Sequence, residues 1–260
     1  MSAGSLLYRE EQGIGYITLN RPEVLNALNR DMLSGLLSLL GEIGTDSSVR
    51  GIIITGAGEK AFSAGADIQF LTAASAHEVR DLARLAIDVN HAIETLGKVS
   101  VAAINGYALG GGLELAEACM LRLAVPQAQM GHPEVRIGAV AGWGGTTRLP
   151  RLIGKGRAAE LLLTGRQITA PEAERFGLVN KVVPGTDLLG EAEALLREIL
   201  SQGPVAVALT WEAVHRGLNM TAEESALLGA DYFGLAASTE DFREGTKAFL
   251  KKVKPSFKGR

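Results

Sequence analysis

The chain has 260 residues, of which 47% are hydrophobic and 21% are charged, and its formal net charge is -3. This length suits one large domain, alone or with a smaller appendage, and the apolar fraction is sufficient for a packed core. Basic and acidic residues are interspersed, so we expect no nucleic-acid partner, and no apolar run is long enough to span a membrane. Residues 1–11 contain no apolar signal region. The sequence therefore predicts a soluble, cytoplasmic protein.

Cysteine and histidine usage argues against a metal centre. The single cysteine, Cys119, excludes a disulfide framework and a thiolate metal cluster. The histidines show no close metal-ligand spacing. No base lies beside Cys119 in the sequence, so we expect a buried structural thiol rather than a nucleophile.

The first 185 residues alternate short β-rich runs with amphipathic helical stretches. The run Gly51–Gly56 is almost wholly apolar, which predicts a strand covered on both faces. Asn29 stands before a stretch whose apolar residues recur at helical spacing, so we expect it to cap the N-terminus of that helix. The predicted strands are Ile14–Asn20, Gly51–Gly56, Val99–Asn105 and Leu121–Val125. The predicted helices cover residues 30–43 and 76–96, and a third begins within residues 110–112. The order strand, strand, helix thus recurs along the chain.

From Pro204 onward the pattern is helical. The predicted helices cover residues 205–218, 222–236 and 239–253. Thr221 and Thr239 are expected to cap the second and third, and Thr221–Glu224 has the spacing of a capping box. We therefore expect a core over residues 1–185 followed by a helical region over residues 186–260.

The glycine triplet at residues 110–112 does not fit a dinucleotide site. No Gly-x-Gly-x-x-Gly follows the first strand, and no acidic residue closes a second strand at the required distance. A helix beginning near Gly111 would instead direct free N–H groups toward an anion. The loop Gly65–Asp67 would supply a second N–H. Two convergent donors suit a thioester carbonyl as it becomes an enolate, which favours function over close packing as the reason for the triplet.

Two glutamates stand beside these backbone donors. Glu114 follows the triplet among apolar neighbours, and Glu134 follows Pro133, whose fixed φ favours a rigid turn. Glu117 lies one helical turn after Glu114 and either shares its face or is exposed. Two carboxylates held near one water cannot both ionise freely, so one of them is expected to have a raised pKa and to act as an acid.

Six runs that include these residues form a specific combination. They are Ala61–Ile68, Ile104–Leu115, Gly131–Glu134, Gly142–Pro150, Ala159–Gly165 and Gly177–Val183. Through them the chain resembles the crotonase family over nearly its whole length, and in particular the enoyl-CoA hydratase branch. The resemblance implies an α/β fold, a spiral of β-β-α units with a helical C-terminal region. That region is implied to complete the CoA site and to build a homotrimer or homohexamer.

The same resemblance implies an activity, the reversible syn addition of water to a 2-enoyl-CoA to give a 3-hydroxyacyl-CoA. CoA would be part of the substrate, and no further cofactor is expected. Glu114 would act as the base toward the water and Glu134 as the acid toward the α-carbon. Ala66 and Gly111 would form the oxyanion hole, and Gly142 would position the water. The residues implied in CoA binding are Ala64, Asp67, Ile68, Phe249 and Lys252.

Three positions depart from the family's usual pattern. Met120 stands where many hydratases carry an aspartate, so Glu117 or a water would have to orient the first glutamate. His132 stands where glutamine is common, and it is either a structural imidazole or a group that tunes the pKa of Glu134. Trp143 either reshapes the acyl pocket or packs in the core.

Other functions remain open from the sequence. A specialised hydratase would act on a cyclic or branched enoyl-CoA. An enoyl-CoA isomerase would typically need only one of the two acids. A protein of the same fold that binds CoA or RNA without turnover is the alternative from a different class, although the intact pair of glutamates and the acidic net charge argue against it.

Overall fold

The computed structural model describes residues 4–260. Residues 1–3, which belong to the N-terminal segment expected to contain no signal region, lie outside the described residues. The chain divides into two compact units, one that ends at Ala194 and a second, Leu195–Arg260. Both sheets belong to the first unit, and the second consists of helices. Among residues 4–260, no helix combines the length and the apolar character needed to cross a membrane.

Each strand and helix that the sequence predicted is present, with its ends shifted by at most two residues. Within residues 4–260 the strands are β1 (Leu6–Glu11), β2 (Ile14–Leu19), β3 (Gly51–Gly56), β4 (Ala61–Ser63), β5 (Val99–Ile104), β6 (Tyr107–Leu109), β7 (Leu121–Ala124), β8 (Gln129–Gly131), β9 (Ile168–Thr169) and β10 (Lys181–Val182). The α-helices are α1 (Arg30–Thr45), α2 (Ile68–Ala73), α3 (Ala76–Glu94), α4 (Gly111–Ala118), α5 (Gly145–Ile153), α6 (Lys155–Thr164), α7 (Ala170–Phe176), α8 (Leu188–Leu200), α9 (Pro204–Gly217), α10 (Ala222–Ala237) and α11 (Glu240–Lys251). Short 3-10 turns cover Pro22–Val24, Glu134–Ile137 and Gly185–Asp187.

The larger sheet has six strands in the order β1-β2-β3-β5-β7-β10. All neighbouring pairs are parallel except β1 and β2, which are antiparallel. Strand β5 is buried at every position and β3 at nearly every one, as expected of a parallel sheet covered on both faces. The sequence did not predict β1, because almost all of its residues are exposed and it lacks an apolar face.

The smaller sheet consists of four short strands in the order β4-β6-β8-β9. The strands β4, β6 and β8 run parallel, so the loops that follow their carboxyl ends meet at one edge. A strand of the larger sheet, a strand of the smaller sheet and then a helix recur in β3-β4-α2, β5-β6-α4 and β7-β8-α5. The predicted α/β architecture of β-β-α units is therefore confirmed.

The predicted helix caps are also confirmed. The Asn29 side chain accepts the Met32 N–H at 2.9 Å and begins α1. In the second unit Thr221 forms the predicted capping box with Glu224 at the start of α10, and Thr239 caps α11. Each cap satisfies a backbone donor that the first helical turn leaves unpaired.

Candidate active site

The edge where β4, β6 and β8 end brings two glycine-rich loops together. Gly65 has a φ of +99°, and a methyl group added there would lie 2.7 Å from the Leu109 carbonyl oxygen. The same methyl would lie 3.3 Å from the Gly111 nitrogen. Only glycine combines this backbone conformation with so close an approach. The loop that carries Ala66 therefore lies directly beside the start of α4.

Two backbone donors at this edge are unused. Ala66 forms a parallel bridge with Leu28, but the donors of that bridge are the Leu28 and Asp67 N–H groups. Gly111 is the first residue of α4, where no intrahelical acceptor exists. Within residues 4–260, neither the Ala66 N–H nor the Gly111 N–H donates a hydrogen bond. The structure therefore brings the two predicted donors into adjacent loops.

Packing accounts for part of the glycine triplet. A methyl group on Gly112 would lie 2.3 Å from the Ser63 carbonyl oxygen, and one on Gly111 would lie 2.4 Å from the Trp143 ring. Gly110 adopts a φ of 50° with a ψ of -125°. Close contact alone therefore requires small residues here, in addition to any role of the unused N–H groups.

Glu114 lies in the first turn of α4 and is 1% exposed. Its Oε1 accepts the Trp143 N–H at 2.8 Å and the Gly145 N–H at 2.7 Å. Burial raises the pKa of Glu114 from 4.5 to about 7, although the Gly145 hydrogen bond and the His132 charge act in the opposite direction. The nearby carboxylates of Glu117 and Glu134 raise it further. The raised pKa thus falls on Glu114, the residue implied to be the base, and its main cause is burial rather than the neighbouring carboxylate on which the sequence prediction rested.

Glu134 begins the 3-10 turn after Pro133, whose φ is -81°. Its side chain is 16% exposed. A methyl group added to Gly110 would lie 2.9 Å from Glu134 Oε1, which places this carboxylate over the start of α4. Glu134 Oε2 is buried and has no hydrogen-bond partner within residues 4–260. Glu134 and Glu114 thus lie at the same edge as the unused N–H groups.

Glu117 and His132 form a buried pair next to these acids. The His132 Nε2–H donates to Glu117 Oε1 at 2.9 Å, and His132 Nδ1 lies 3.7 Å from Glu134 Oε1. Glu117 is therefore buried rather than exposed, and its Oε1 bonds to His132 rather than to Glu114. The backbone N–H groups of Trp143 and Gly145 orient Glu114 instead.

The loop after the 3-10 turn is fixed through the Trp143 backbone. The Trp143 carbonyl oxygen accepts Asn90 Nδ2–H at 3.0 Å and Arg148 Nη1–H at 3.1 Å. Arg148 is in turn held by two hydrogen bonds to Glu94, at 2.7 and 2.8 Å. Gly142 is exposed, whereas Trp143 is buried with its ring against Gly111. Sequence reasoning missed these anchors, although the polar Asn90 within the apolar stripe of α3 was a signal.

The residues predicted to bind CoA fall in both units. Ala64, Asp67 and Ile68 flank Ala66, and Asp67 caps α2 while accepting Arg21 Nη1–H at 3.1 Å. In the second unit, the Phe249 side chain of α11 is 83% exposed. The other predicted CoA residue, Lys252, is the exposed C-cap of the same helix.

Cys119 has the buried structural role that the sequence predicted. The thiol is enclosed at the end of α4, and burial raises its pKa to about 12. A thiol that does not ionise near neutral pH is a poor nucleophile. Among residues 4–260, no group of three or more His, Cys, Asp and Glu side chains is arranged to hold a metal ion.

Comparisons with known proteins show the family to which this chain belongs. A family model described as enoyl-CoA hydratase/isomerase matches residues 9–260. The chain is 43% identical over 257 residues to the crotonyl-CoA hydratase of Syntrophomonas wolfei, covering 99% of each chain. It is 42% identical over 261 residues to the short-chain-enoyl-CoA hydratase of Clostridium acetobutylicum, covering 100% of each. The crystal structure of an enoyl-CoA hydratase from Bacillus anthracis superposes with a TM-score of 0.95 at 38% identity, covering 99% of this chain and 100% of that one. The chain therefore belongs to the enoyl-CoA hydratase/isomerase family.

Proposed function

We propose that this protein is an enoyl-CoA hydratase, a carbon–oxygen lyase that reversibly adds water to a 2-enoyl-CoA in a syn manner and yields a 3-hydroxyacyl-CoA. The observation that carries the proposal is the convergence of two unused backbone donors and two glutamates at one sheet edge. Its full-length relatives named crotonyl-CoA hydratase and short-chain-enoyl-CoA hydratase support the same reaction. Fatty-acid β-oxidation is the metabolic setting that this reaction suggests.

The N–H groups of Ala66 and Gly111 would hold the thioester oxygen. Charge develops on this oxygen when water adds to the β-carbon, because the α-carbon and the carbonyl then form an enolate. Donors that are fixed before the reaction need no reorganisation, and the loss of one typically costs about 10²–10³ in rate. The start of α4 adds the positive end of its helix dipole at the same place.

Glu114 would act as the base toward the water, and Glu134 as the acid toward the α-carbon. Two backbone N–H groups hold Oε1 of Glu114 and leave Oε2 available to the water. The Glu134 carboxyl group, which lies over the start of α4 and is partly exposed, would deliver the proton to the α-carbon. The exposed backbone of Gly142 would help to position the water between the two acids.

The substrate's CoA moiety would be bound beside the oxyanion hole by the backbone of Ala64, Asp67 and Ile68. Phe249 and Lys252 would contribute from the helical unit of a neighbouring subunit in a homotrimer or homohexamer. The reaction needs no cofactor apart from the CoA carried by the substrate. We place the protein in the cytoplasm, without a nucleic-acid or membrane partner.

An assay with crotonyl-CoA tests this function. Wild-type protein should bleach the absorbance of the conjugated thioester and yield 3-hydroxybutyryl-CoA. Glu134→Gln should lower kcat by about 10²–10⁴, the usual contribution of general acid–base catalysis, while CoA still binds. Glu42→Gln, the same change at an exposed position of α1, is the control and should leave the rate unaltered.

The same assay separates the alternatives. A panel of longer, branched and cyclic 2-enoyl-CoA substrates would identify a specialised hydratase. Conversion of a 3-enoyl-CoA without incorporation of solvent oxygen would indicate an isomerase. If wild type and Glu134→Gln are equally inert with every substrate, the hydratase proposal is wrong. RNA binding that survives physiological salt would then favour a binding protein.

A further inference from the structure

Two buried ionisable side chains beside the proposed site have no part in the mechanism above. The side chains of Glu117 and His132 are 0% and 1% exposed, and His132 Nε2–H donates to Glu117 Oε1 at 2.9 Å. The other ring nitrogen, Nδ1, lies 3.7 Å from Glu134 Oε1. Glu117, His132 and Glu134 thus form a row of neighbouring side chains. Within residues 4–260, three atoms of this row are buried and lack a hydrogen-bond partner, namely Glu117 Oε2, His132 Nδ1 and Glu134 Oε2. The row therefore connects α4 to the proposed acid.

Charge balance indicates that Glu117 and His132 form an ion pair. An unpaired buried carboxylate is strongly unfavourable, whereas a carboxylate bonded to an imidazolium is neutral as a pair. Burial by itself lowers the pKa of His132, but the carboxylates of Glu117 and Glu134 outweigh burial and raise the pKa to about 10. Both ring nitrogens then carry hydrogen at neutral pH. The other charged groups that act on this cluster are Glu114, Arg122 and Arg148.

The imidazole ring lies next to both proposed catalytic acids. A methyl group added to Gly145 would lie 2.7 Å from His132 Cε1 and 3.1 Å from Glu114 Oε1. On its Nδ1 side the ring faces Glu134. The separation of 3.7 Å is longer than a hydrogen bond, but catalytic contacts in ligand-free sites are often long and tighten when substrate binds.

We propose that Glu117 and His132 form a positioning pair that holds Glu134 for proton transfer, a role that rests on the hydratase function proposed above. Glu117 fixes the ring through Nε2–H. The Nδ1–H then holds Oε1 of Glu134 and fixes the orientation of the carboxyl group toward the substrate. His132 and Glu117 touch no reacting atom and act only through Glu134.

Steady-state kinetics of His132→Asn test the pair. This variant removes the cation and the fixed ring but keeps a polar side chain. Because the substrate contacts are unchanged while the acid is misplaced, kcat should fall roughly 10–100-fold and KM should change less than about threefold. Glu193→Gln is the control, a half-buried glutamate on α8 that accepts the Tyr16 hydroxyl at 2.8 Å, and it should leave kcat unchanged.

The pH profile of Glu117→Gln separates positioning from a merely structural role. Without the Glu117 charge, burial again lowers the pKa of His132, and the imidazolium is lost as pH rises. The kcat of Glu117→Gln should therefore approach that of wild type near pH 6 and fall increasingly below it toward pH 8.5. A pair that only supports the fold would give parallel profiles for the two proteins.

Each outcome supports or overturns the proposal. If wild type hydrates no enoyl-CoA, the proposed function fails and the positioning role fails with it. If wild type is active but both variants keep kcat within twofold and show parallel profiles, the hydratase function stands and the positioning pair is overturned. If His132→Asn loses its cooperative thermal transition, the profile of Glu117→Gln decides.

Discussion

Replacing Glu114 with glutamine should stabilise the folded protein at alkaline pH even though it removes the proposed base. The glutamine oxygen can still accept the Trp143 and Gly145 N–H groups that now bond to Oε1. The variant therefore keeps the shape and the hydrogen bonds of the site but never carries a buried charge. Wild type, in contrast, must hold a carboxylate at a position that is 1% exposed.

The size of this effect follows from the pKa of Glu114. The ordinary pKa of 4.5 rises to about 7 in the folded chain. Well below pH 4.5 the side chain is neutral in both the folded and the unfolded chain, so it contributes no difference in stability. Between pH 4.5 and 7 the unfolded chain ionises while the folded chain keeps the proton, and because one pKa unit equals about 1.4 kcal/mol, the penalty reaches its full value of about 3 kcal/mol above pH 7. At pH 5 the penalty is only about 1 kcal/mol.

Thermal melts of wild type and Glu114→Gln at pH 5 and pH 8.5 measure this difference. The stability advantage of the variant should increase by roughly 2–3 kcal/mol between the two pH values, or about 4–12 °C in Tm for a chain of this size. Glu42→Gln should change Tm by a similar small amount at both pH values, because Glu42 is exposed. If the advantage of Glu114→Gln is independent of pH, or shrinks at pH 8.5, the burial argument for Glu114 is wrong.

Three further predictions concern the proposed site and α4. If Glu114 is the base, kcat/KM should rise with pH through about 7, where its buried carboxyl ionises, and a fall through the same range in a pH–rate profile would make Glu114 the acid. Gly65→Ala should abolish measurable hydration and lower Tm, because the added methyl group would lie 2.7 Å from the Leu109 carbonyl oxygen. Gly97→Ala is the control, since Gly97 also has a positive φ but no atom lies within 4 Å of the added methyl group. This control should lower the free energy of unfolding by only about 1 kcal/mol and should retain activity. Cys119 should react with a thiol reagent only in denaturant, and rapid modification of the native protein would contradict its burial at a pKa of about 12.

The elements of the core were predictable because their signals are local. The apolar run Gly51–Gly56 and the caps Asn29 and Thr221 each specify their own element, and the structure has them at those positions. Strand β1 was not predictable, because its exposed side chains carry no period-2 pattern and its partner is chosen by register with β2. The short strands of the smaller sheet are likewise too brief to show a period.

At the site, residue types and glycine spacing pointed to Glu114, Glu134, the loop Gly65–Asp67 and a helix start near Gly111, and the family resemblance narrowed the two donors to Ala66 and Gly111. The partnership of Glu117 with His132 was not visible, because it joins α4 to the end of β8 and depends on how two parallel strands align. A carboxylate one turn after Glu114 is more often solvated, and only its burial shows that it needs a counter-ion. The burial of a charge is a tertiary property that no local pattern records.

The anchoring of Glu114 through backbone groups explains how the site tolerates departures from the family pattern. The Trp143 peptide donates its N–H to Glu114 and accepts Asn90 and Arg148 at its carbonyl oxygen, so the side chain at position 143 takes no part in that chain of hydrogen bonds. A bulky indole can therefore lie against Gly111 without displacing the carboxylate. For the same reason Met120 need not supply an acid. The orientation of Glu114 thus depends on the path of one loop. Under the proposed positioning pair, the orientation of Glu134 would depend on the His132 and Glu117 side chains, and Glu134 would then be the more sensitive of the two to substitution nearby.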